Sequence, residues 1–310
     1  STSGTSSAAV TFGGSAPGVV ADTQEFNKST NVITPAAWSA GGAYPTVVRE
    51  TYGIGTLTAG LGFNGMIPPT TNISAEYDGS TWGSTAATNA SKVARGGGGT
   101  QTAGLAFGGE PTTGETEEYN GTSWAEQSDL GTARYAVNGA GIQTAALAIG
   151  GRVGGGSPGA VEEYGGSSWT AGGAQPAATS YAGSCGTQTA AVIFGNTPSA
   201  STLTFEYDGS SWTAGGALPI PVMRTTGSGT QTAALQAGNG PSAQAGTHLY
   251  DGTSWATNAS LATARYNNGA SSNSNTAAFV FGGYTPPTVN TTENFNEASS
   301  AINIKTITTS

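Results

Sequence analysis

GIQTAALAIGGRVGGGSPGAVEEYGGSSW, from Gly141 to Trp169, holds three short apolar or aromatic runs, AALAI, VEEY and SSW, parted by glycine-rich breaks. A fourth short segment, rich in glycine, precedes it after Arg134. Helix interiors lose roughly 1 kcal/mol for each glycine, so runs this short between such breaks are strands. Gly165 with Gly166 reads as the hairpin turn between the last two.

The unit recurs along the whole chain. Tryptophans stand at Trp38, Trp82, Trp124, Trp169, Trp212 and Trp255, separated by 44, 42, 45, 43 and 43 residues, and no other tryptophan exists. Phe12, Phe63, Phe107, Ile149, Phe194, Ala237 and Phe281 run in step, each followed by Gly-Gly, Gly-Asn or Asn-Gly. Phe26, Tyr77, Tyr119, Tyr164, Tyr207, Tyr250 and Phe295 form a third series. These series count seven copies, at approximately 1–38, 39–82, 83–124, 125–169, 170–212, 213–255 and 256–310, the seventh without its tryptophan. A period near 43 residues with four strands per copy predicts an all-β, seven-bladed β-propeller of four-stranded antiparallel blades, a single domain over 1–310. One copy buries too little apolar surface to stand alone, and closing the ring protects the terminal sheets. A β-solenoid is the alternative architecture.

Asp78-Gly79, Asn120-Gly121, Gly165-Gly166, Asp208-Gly209 and Asp251-Gly252 separate the third and fourth strands. Such pairs tolerate positive φ at both central positions of a tight turn, which predicts five hairpins. The first copy opens at GTSSAAVTFGG (Gly4–Gly14), already the second strand, so the first blade is expected to be incomplete or to be preceded by further residues.

Composition restricts the function. Of 310 residues only 9% are charged, with 18 acidic against 9 basic side chains, a net charge of -9 and 50 glycines. Lys28, Lys92 and Lys305 are the only lysines, so no basic stripe is available for nucleic acid or anionic membrane. No apolar run reaches membrane-spanning length. A coat of Ser, Thr, Asn and Gly is expected on a virion-surface or extracellular protein. Cys185 is the only cysteine and His248 the only histidine, which leaves no disulfide, no zinc site and no Ser-His-Asp triad.

The order Ala-x-Arg, apolar strand, Gly-Gly, Glu-Tyr, turn and Trp resembles the kelch repeat over essentially the whole chain. That resemblance implies inner first strands (Gly96–Gly99; Asn138, Gly139, Gly141) and outer fourth strands, with the inner strand that the first blade lacks supplied from the C-terminus. Only Ala301–Ser310 is available at the C-terminal end. The wording GTQTA-Leu-Ala-Phe-Gly-Gly followed by EEY(N/D)GTSW also resembles structural proteins of tailed bacteriophages, notably those of marine cyanobacteria. The resemblance implies a non-enzymatic tail-fibre, head-fibre or capsid-decoration protein, partnered by other virion or surface proteins and by host-surface glycans. A secreted cellular lectin and a kelch-type interaction adaptor are the alternatives.

Arg49, Arg95, Arg134, Arg224 and Arg265 are read as one repeat position, and Glu25, Glu76, Glu118, Glu163 and Glu206 as another. Groups recurring from blade to blade are expected to be structural, as are the six tryptophans: arginine forks bonded to carbonyls or to these carboxylates would tie blades together. The pairs Glu117-Glu118 and Glu162-Glu163 point to opposite faces of a strand and so cannot flank one glycosidic bond. Asp78–Trp82 resembles the sialidase Asp-box but lacks the residue between Asp and Gly. A galactose-oxidase copper site needs histidines that the chain lacks. No cofactor, metal ion or catalytic residue is expected. The loops between second and third strands vary most, and there Arg152, Glu110, Glu115 and Tyr284 are the candidate ligand-binding side chains.

Overall fold

A computed structural model describes the backbone of residues 2–5, 8–16, 18–27, 30–154, 156–196 and 199–303, and the side chains of 33–154, 156–196 and 199–300. The chain divides into two compact units, not one: Ser1–Ala36 with Ala298–Ser310, and Ala37–Glu297. Glu25 and Lys28 lie outside the described side chains.

The larger unit is a β-propeller. After β5 (Ala37–Gly41), blade 1 comprises β6 (Tyr52–Thr56), β7 (Ala59–Met66), β8 (Thr70–Tyr77) and β9 (Trp82–Thr85). Blade 2 is β10 (Gly96–Thr100), β11 (Ala103–Phe107), β12 (Thr116–Tyr119) and β13 (Trp124–Gln127). Blade 3 is β14 (Asn138–Ile142), β15 (Ala145–Ile149), β16 (Val161–Tyr164) and β17 (Trp169–Ala171). Blade 4 is β18 (Gly183–Thr187), β19 (Ala190–Phe194), β20 (Thr204–Tyr207) and β21 (Trp212–Ala214). Blade 5 is β22 (Thr226–Thr230), β23 (Ala233–Asn239), β24 (Gln244–Tyr250) and β25 (Trp255–Thr257). Blade 6 takes β26 (Gly269–Ala270), β27 (Ala277–Phe281) and β28 (Thr292–Asn296) from the end of the unit and β5 from its beginning.

The ring therefore has six blades, not the expected seven. Phe295 faces Trp38 across β28 and β5, as Tyr77 faces Trp82 and Tyr164 faces Trp169. Trp38 is thus the tryptophan that the last copy seemed to lack, and closure uses β5, the first strand of this unit, as an outer strand, not an inner strand from the C-terminus as the resemblance implied. First strands touch first strands in an unbroken cycle from β6 through β10, β14, β18 and β22 to β26 and back to β6. They line the axis, where space is short: a Cβ on Gly139 would lie 2.1 Å from the carbonyl oxygen of Gly97.

The smaller unit contains β1 (Thr2–Thr5), β2 (Ala8–Ala16), β3 (Gly18–Asn27), β4 (Thr30–Thr34) and β29 (Ser299–Asn303). β1, β2 and β3 form a three-stranded sheet, and β4 pairs with β29. Thr5 faces Ala8, Ala9 faces Phe26 and Phe12 faces Thr23, with a register shift between Phe12 and Gly14. Blade 1 repeats this register, with Thr56 facing Ala59, Gly60 facing Tyr77, Phe63 facing Ser74 and the shift between Phe63 and Gly65. The first copy thus forms the first three strands of the unit, but its tryptophan strand belongs to blade 6.

The predicted two-residue turns have a different geometry. Four residues join β8 to β9, and only the glycine, Gly79, has positive φ (+97°). Asp78 instead caps the turn: its Oδ1 accepts the N–H groups of Ser80 at 2.8 Å and Thr81 at 2.6 Å. These bonds hold the Asp78 carboxyl below the usual carboxylate range. Asn120, Asp208 and Asp251 cap their turns in the same way.

Side-chain bonds join consecutive blades. Each Tyr hydroxyl donates to the repeated Glu of the preceding blade: Tyr119 to Glu76 at 2.8 Å, Tyr164 to Glu118 at 3.0 Å, Tyr207 to Glu163 at 2.6 Å and Tyr250 to Glu206 at 2.5 Å. At the closure Tyr77 bonds Asn294. Every tryptophan Nε1 also donates to the preceding blade, Trp169 to Thr116 Oγ1 at 3.0 Å and Trp38 to Ala259 O at 2.9 Å among them. Gln101, Gln143, Gln188 and Gln231 each donate to two carbonyls of the preceding blade, a tether the sequence reading missed.

The five arginines do not share one position. Arg134 and Arg265 are equivalent: each bonds three carbonyls and a carboxylate, Glu162 at 2.8 Å and Glu293 at 2.6 Å respectively. Arg95 starts three places further on, yet reaches the equivalent Glu117 at 2.6 Å. All three pairs lie within a blade and are buried, and in the Glu117-Glu118 and Glu162-Glu163 pairs the carboxylate is the first Glu, not the second. Arg49 and Arg224 stand one and two places after the Arg134 position and join no such pair.

Candidate functional site

Two places before the start of each first strand, one residue adopts the left-handed conformation: Glu50 (φ 52°), Ala94 (52°), Ala136 (53°), Tyr181 (48°), Arg224 (50°) and Asn267 (54°). Non-glycine residues enter this region at a cost, which asparagine bears best. Backbone bonds hold them there. Ala94 donates to Glu50, Ala136 to Ala94, Tyr181 to Ala136, Arg224 to Tyr181, Asn267 to Arg224 and Glu50 to Asn267, over 2.8–3.3 Å. The six N–H···O bonds close a circle around the axis.

Inside this circle lies a cavity offering about 80 Å³ to the centres of water molecules, several times what one water needs. Its lining includes Glu50, Tyr52, Tyr181, Ser184, Arg224 and Asn267. Tyr52 stands where other blades carry Gly96, Asn138, Gly183, Thr226 and Gly269. Its hydroxyl donates to the carbonyl of Gly139, two blades away, at 3.2 Å, and Ser184 Oγ donates to the same oxygen at 2.9 Å. The phenol so reaches past blade 2, over Gly97, whose added Cβ would meet Tyr52 Cδ1 at 2.9 Å. Burial pushes the Tyr52 hydroxyl up to about 12, so it remains a donor at neutral pH.

At the mouth, the Arg224 guanidinium sits 5.4 Å from the Tyr181 ring centre and Asn267 Nδ2 donates to Glu50 Oε1 at 3.2 Å. Burial pushes the Glu50 carboxyl above its ordinary value, Arg224 and Arg49 pull it back, and Glu110 pushes it up again. Burial, with the Glu50 and Glu110 charges, also raises the Tyr181 phenol.

None of the four loop candidates lines the cavity. Glu110 is exposed and its charge reaches Glu50 and Tyr181. Tyr284 stacks edge-on with Tyr266 at 5.5 Å and lies 5.1 Å from the Arg49 guanidinium. Arg152 pairs through its backbone with Tyr135. Glu115 is ion-paired to Lys92 at 3.3 Å. Sequence reasoning missed Glu50, Tyr52, Tyr181 and Asn267 and counted Arg224 as structural. The available signal was Tyr52, the one aromatic residue among the glycine-rich first strands. Cys185 is buried, and burial raises its thiol well above the ordinary range. Among the described residues no group of three or more His, Cys, Asp or Glu gathers as a metal site would require.

The solved structure of YjhT matches with a TM-score of 0.68 and 12% identity, covering 87% of this chain and 99% of that one. At that identity the likeness extends to the β-propeller fold alone. Neither a protein-family model nor a curated protein sequence matches the chain.

Proposed function

We propose that the chain is a non-enzymatic attachment and structural module of a virion surface, a tail fibre, head fibre or capsid decoration, that holds a host-surface glycan at the mouth of its ring. One observation carries the reading. At the left-handed position all six blades keep the same backbone bonds, yet the side chains are Glu, Ala, Ala, Tyr, Arg and Asn. Strained residues persist where the surroundings hold them and cluster at functional sites. Here the backbone repeats in all six blades while the side chains differ, as a site for an asymmetric ligand requires. The lining carries one carboxylate, Glu50, whereas glycosidic cleavage ordinarily takes two, which favours binding without turnover. The kelch-like repeats and their phage-like wording supply the virion part of the proposal.

The test is a glycan array probed with the full chain, with chromatography of the retained glycans afterwards. Retention of intact glycans is expected, and labelling of phage particles by an antibody to the chain places it on a virion. Released sugar products would contradict the non-enzymatic reading, retention of no glycan the glycan reading, and particles free of the chain the virion reading.

A further inference from the structure

Building on the glycan reading, we infer that the cup recognises the terminal residue of a neutral saccharide end-on, and does not grip an internal stretch of a glycan or an anionic sugar. The floor gives the first half of the argument. Tyr52 of blade 1 reaches past blade 2 to bond Gly139 of blade 3, and Ser184 of blade 4 bonds the same carbonyl, so the phenol is fixed as a chord within the bore. The chord narrows the bore against a threading chain. Whatever enters from the mouth meets the phenol, which favours a chain end.

Charge gives the second half. Two basic groups, Arg224 and Arg49, stand against two acidic ones, Glu50 and Glu110, and Arg95 in the lining is already paired with Glu117. No surplus charge is left to repay the desolvation of an ionic ligand. Instead the mouth offers a carboxylate acceptor, a guanidinium donor and the Asn267 amide, which gives and takes hydrogen bonds. Neighbouring hydroxyls that both donate and accept are the matching chemistry, and a sugar ring provides them on one small rigid body.

The probe is an array of neutral and acidic glycans tethered through their reducing ends, each bound neutral glycan being retested after enzymatic addition of one further residue. Glu50→Asn and Arg224→Asn are the variants, because asparagine already occupies the equivalent left-handed position at Asn267 and so keeps the fold. The inference expects neutral glycans to bind, the free terminal monosaccharide to compete, and either capping the terminus or either substitution to weaken binding at least tenfold. Unchanged binding to the extended glycans, a preference for acidic glycans, or full binding by both variants overturns it while leaving glycan recognition intact. Binding of no saccharide overturns the glycan reading and this inference together.

Discussion

His248 occupies in blade 5 the place that Glu117, Glu162 and Glu293 hold in blades 2, 3 and 6, and Gln236 takes over as its partner. Gln236 Nε2 donates to Thr225 Oγ1 at 2.7 Å and to Gly238 O at 2.6 Å. Its Oε1 therefore faces His248 Nδ1, 2.6 Å away, which fixes the proton on Nδ1. Burial lowers the imidazole below its ordinary value of 6.5. As pH falls through that value the unfolded chain takes up a proton that the folded chain refuses. The contribution to stability is thus whole above the ordinary value and declines below it. Urea midpoints compared at about pH 7.5 and about pH 5.5 are expected to fall further for the native chain than for His248→Gln, and parallel falls would contradict the assignment. At this scale the sequence disclosed which residue types recur but not their partners. Alternation along Glu117-Glu118 predicts opposite faces without saying which face is inward. For the arginines the count to the next turn was informative: Arg95 stands three places nearer to Gln101 than Arg134 does to Gln143.

Between elements, the repeated Tyr–Glu bond is the recurring join. Tyr164 is fully buried and its hydroxyl reaches Glu118 on the neighbouring blade at 3.0 Å. Burial and the Glu118 carboxylate raise the phenol, so it stays protonated and donates. A hydrogen bond to a charged acceptor contributes roughly 1.5–3 kcal/mol when buried, and less where the acceptor is half-exposed as here. Tyr164→Phe, which keeps the stacking on Trp169, is expected to cost about 1 kcal/mol in urea denaturation, and adding Glu118→Gln should cost little more. Strictly additive losses would show that the two side chains do not act as a pair. Strand lengths, turn sites and the glycine-rich inner strands were legible because period, breaker residues and crowding all leave marks on sequence. The glutamine tethers were not, since a Gln beside a turn ordinarily faces solvent.

For the whole molecule, a periodic sequence reads alike wherever its frame begins, so seven aromatic series members gave seven blades. Blade number is decided by which third strand the Trp38 strand joins, and sequence order alone favours the nearer one. The ring instead draws β5 to β28, leaving the first copy as a separate three-stranded sheet and setting six first strands around the cup. The site was illegible for a related reason: Glu50, Tyr181, Arg224 and Asn267 lie far apart in sequence and meet only when six blades close. Closure of six is therefore the claim on which the cup depends, and cysteine pairs with a short bismaleimide cross-linker test it most directly, Cys185 being buried. In the six-bladed ring Ala37 faces Asn296, so Ala37→Cys with Asn296→Cys is predicted to cross-link within one chain, as read by mass spectrometry. In a seven-bladed ring Trp38 would face Phe26 and residue 37 would lie opposite Asn27. Cross-linking of Ala37→Cys with Asn27→Cys, and not with Asn296→Cys, would contradict the account.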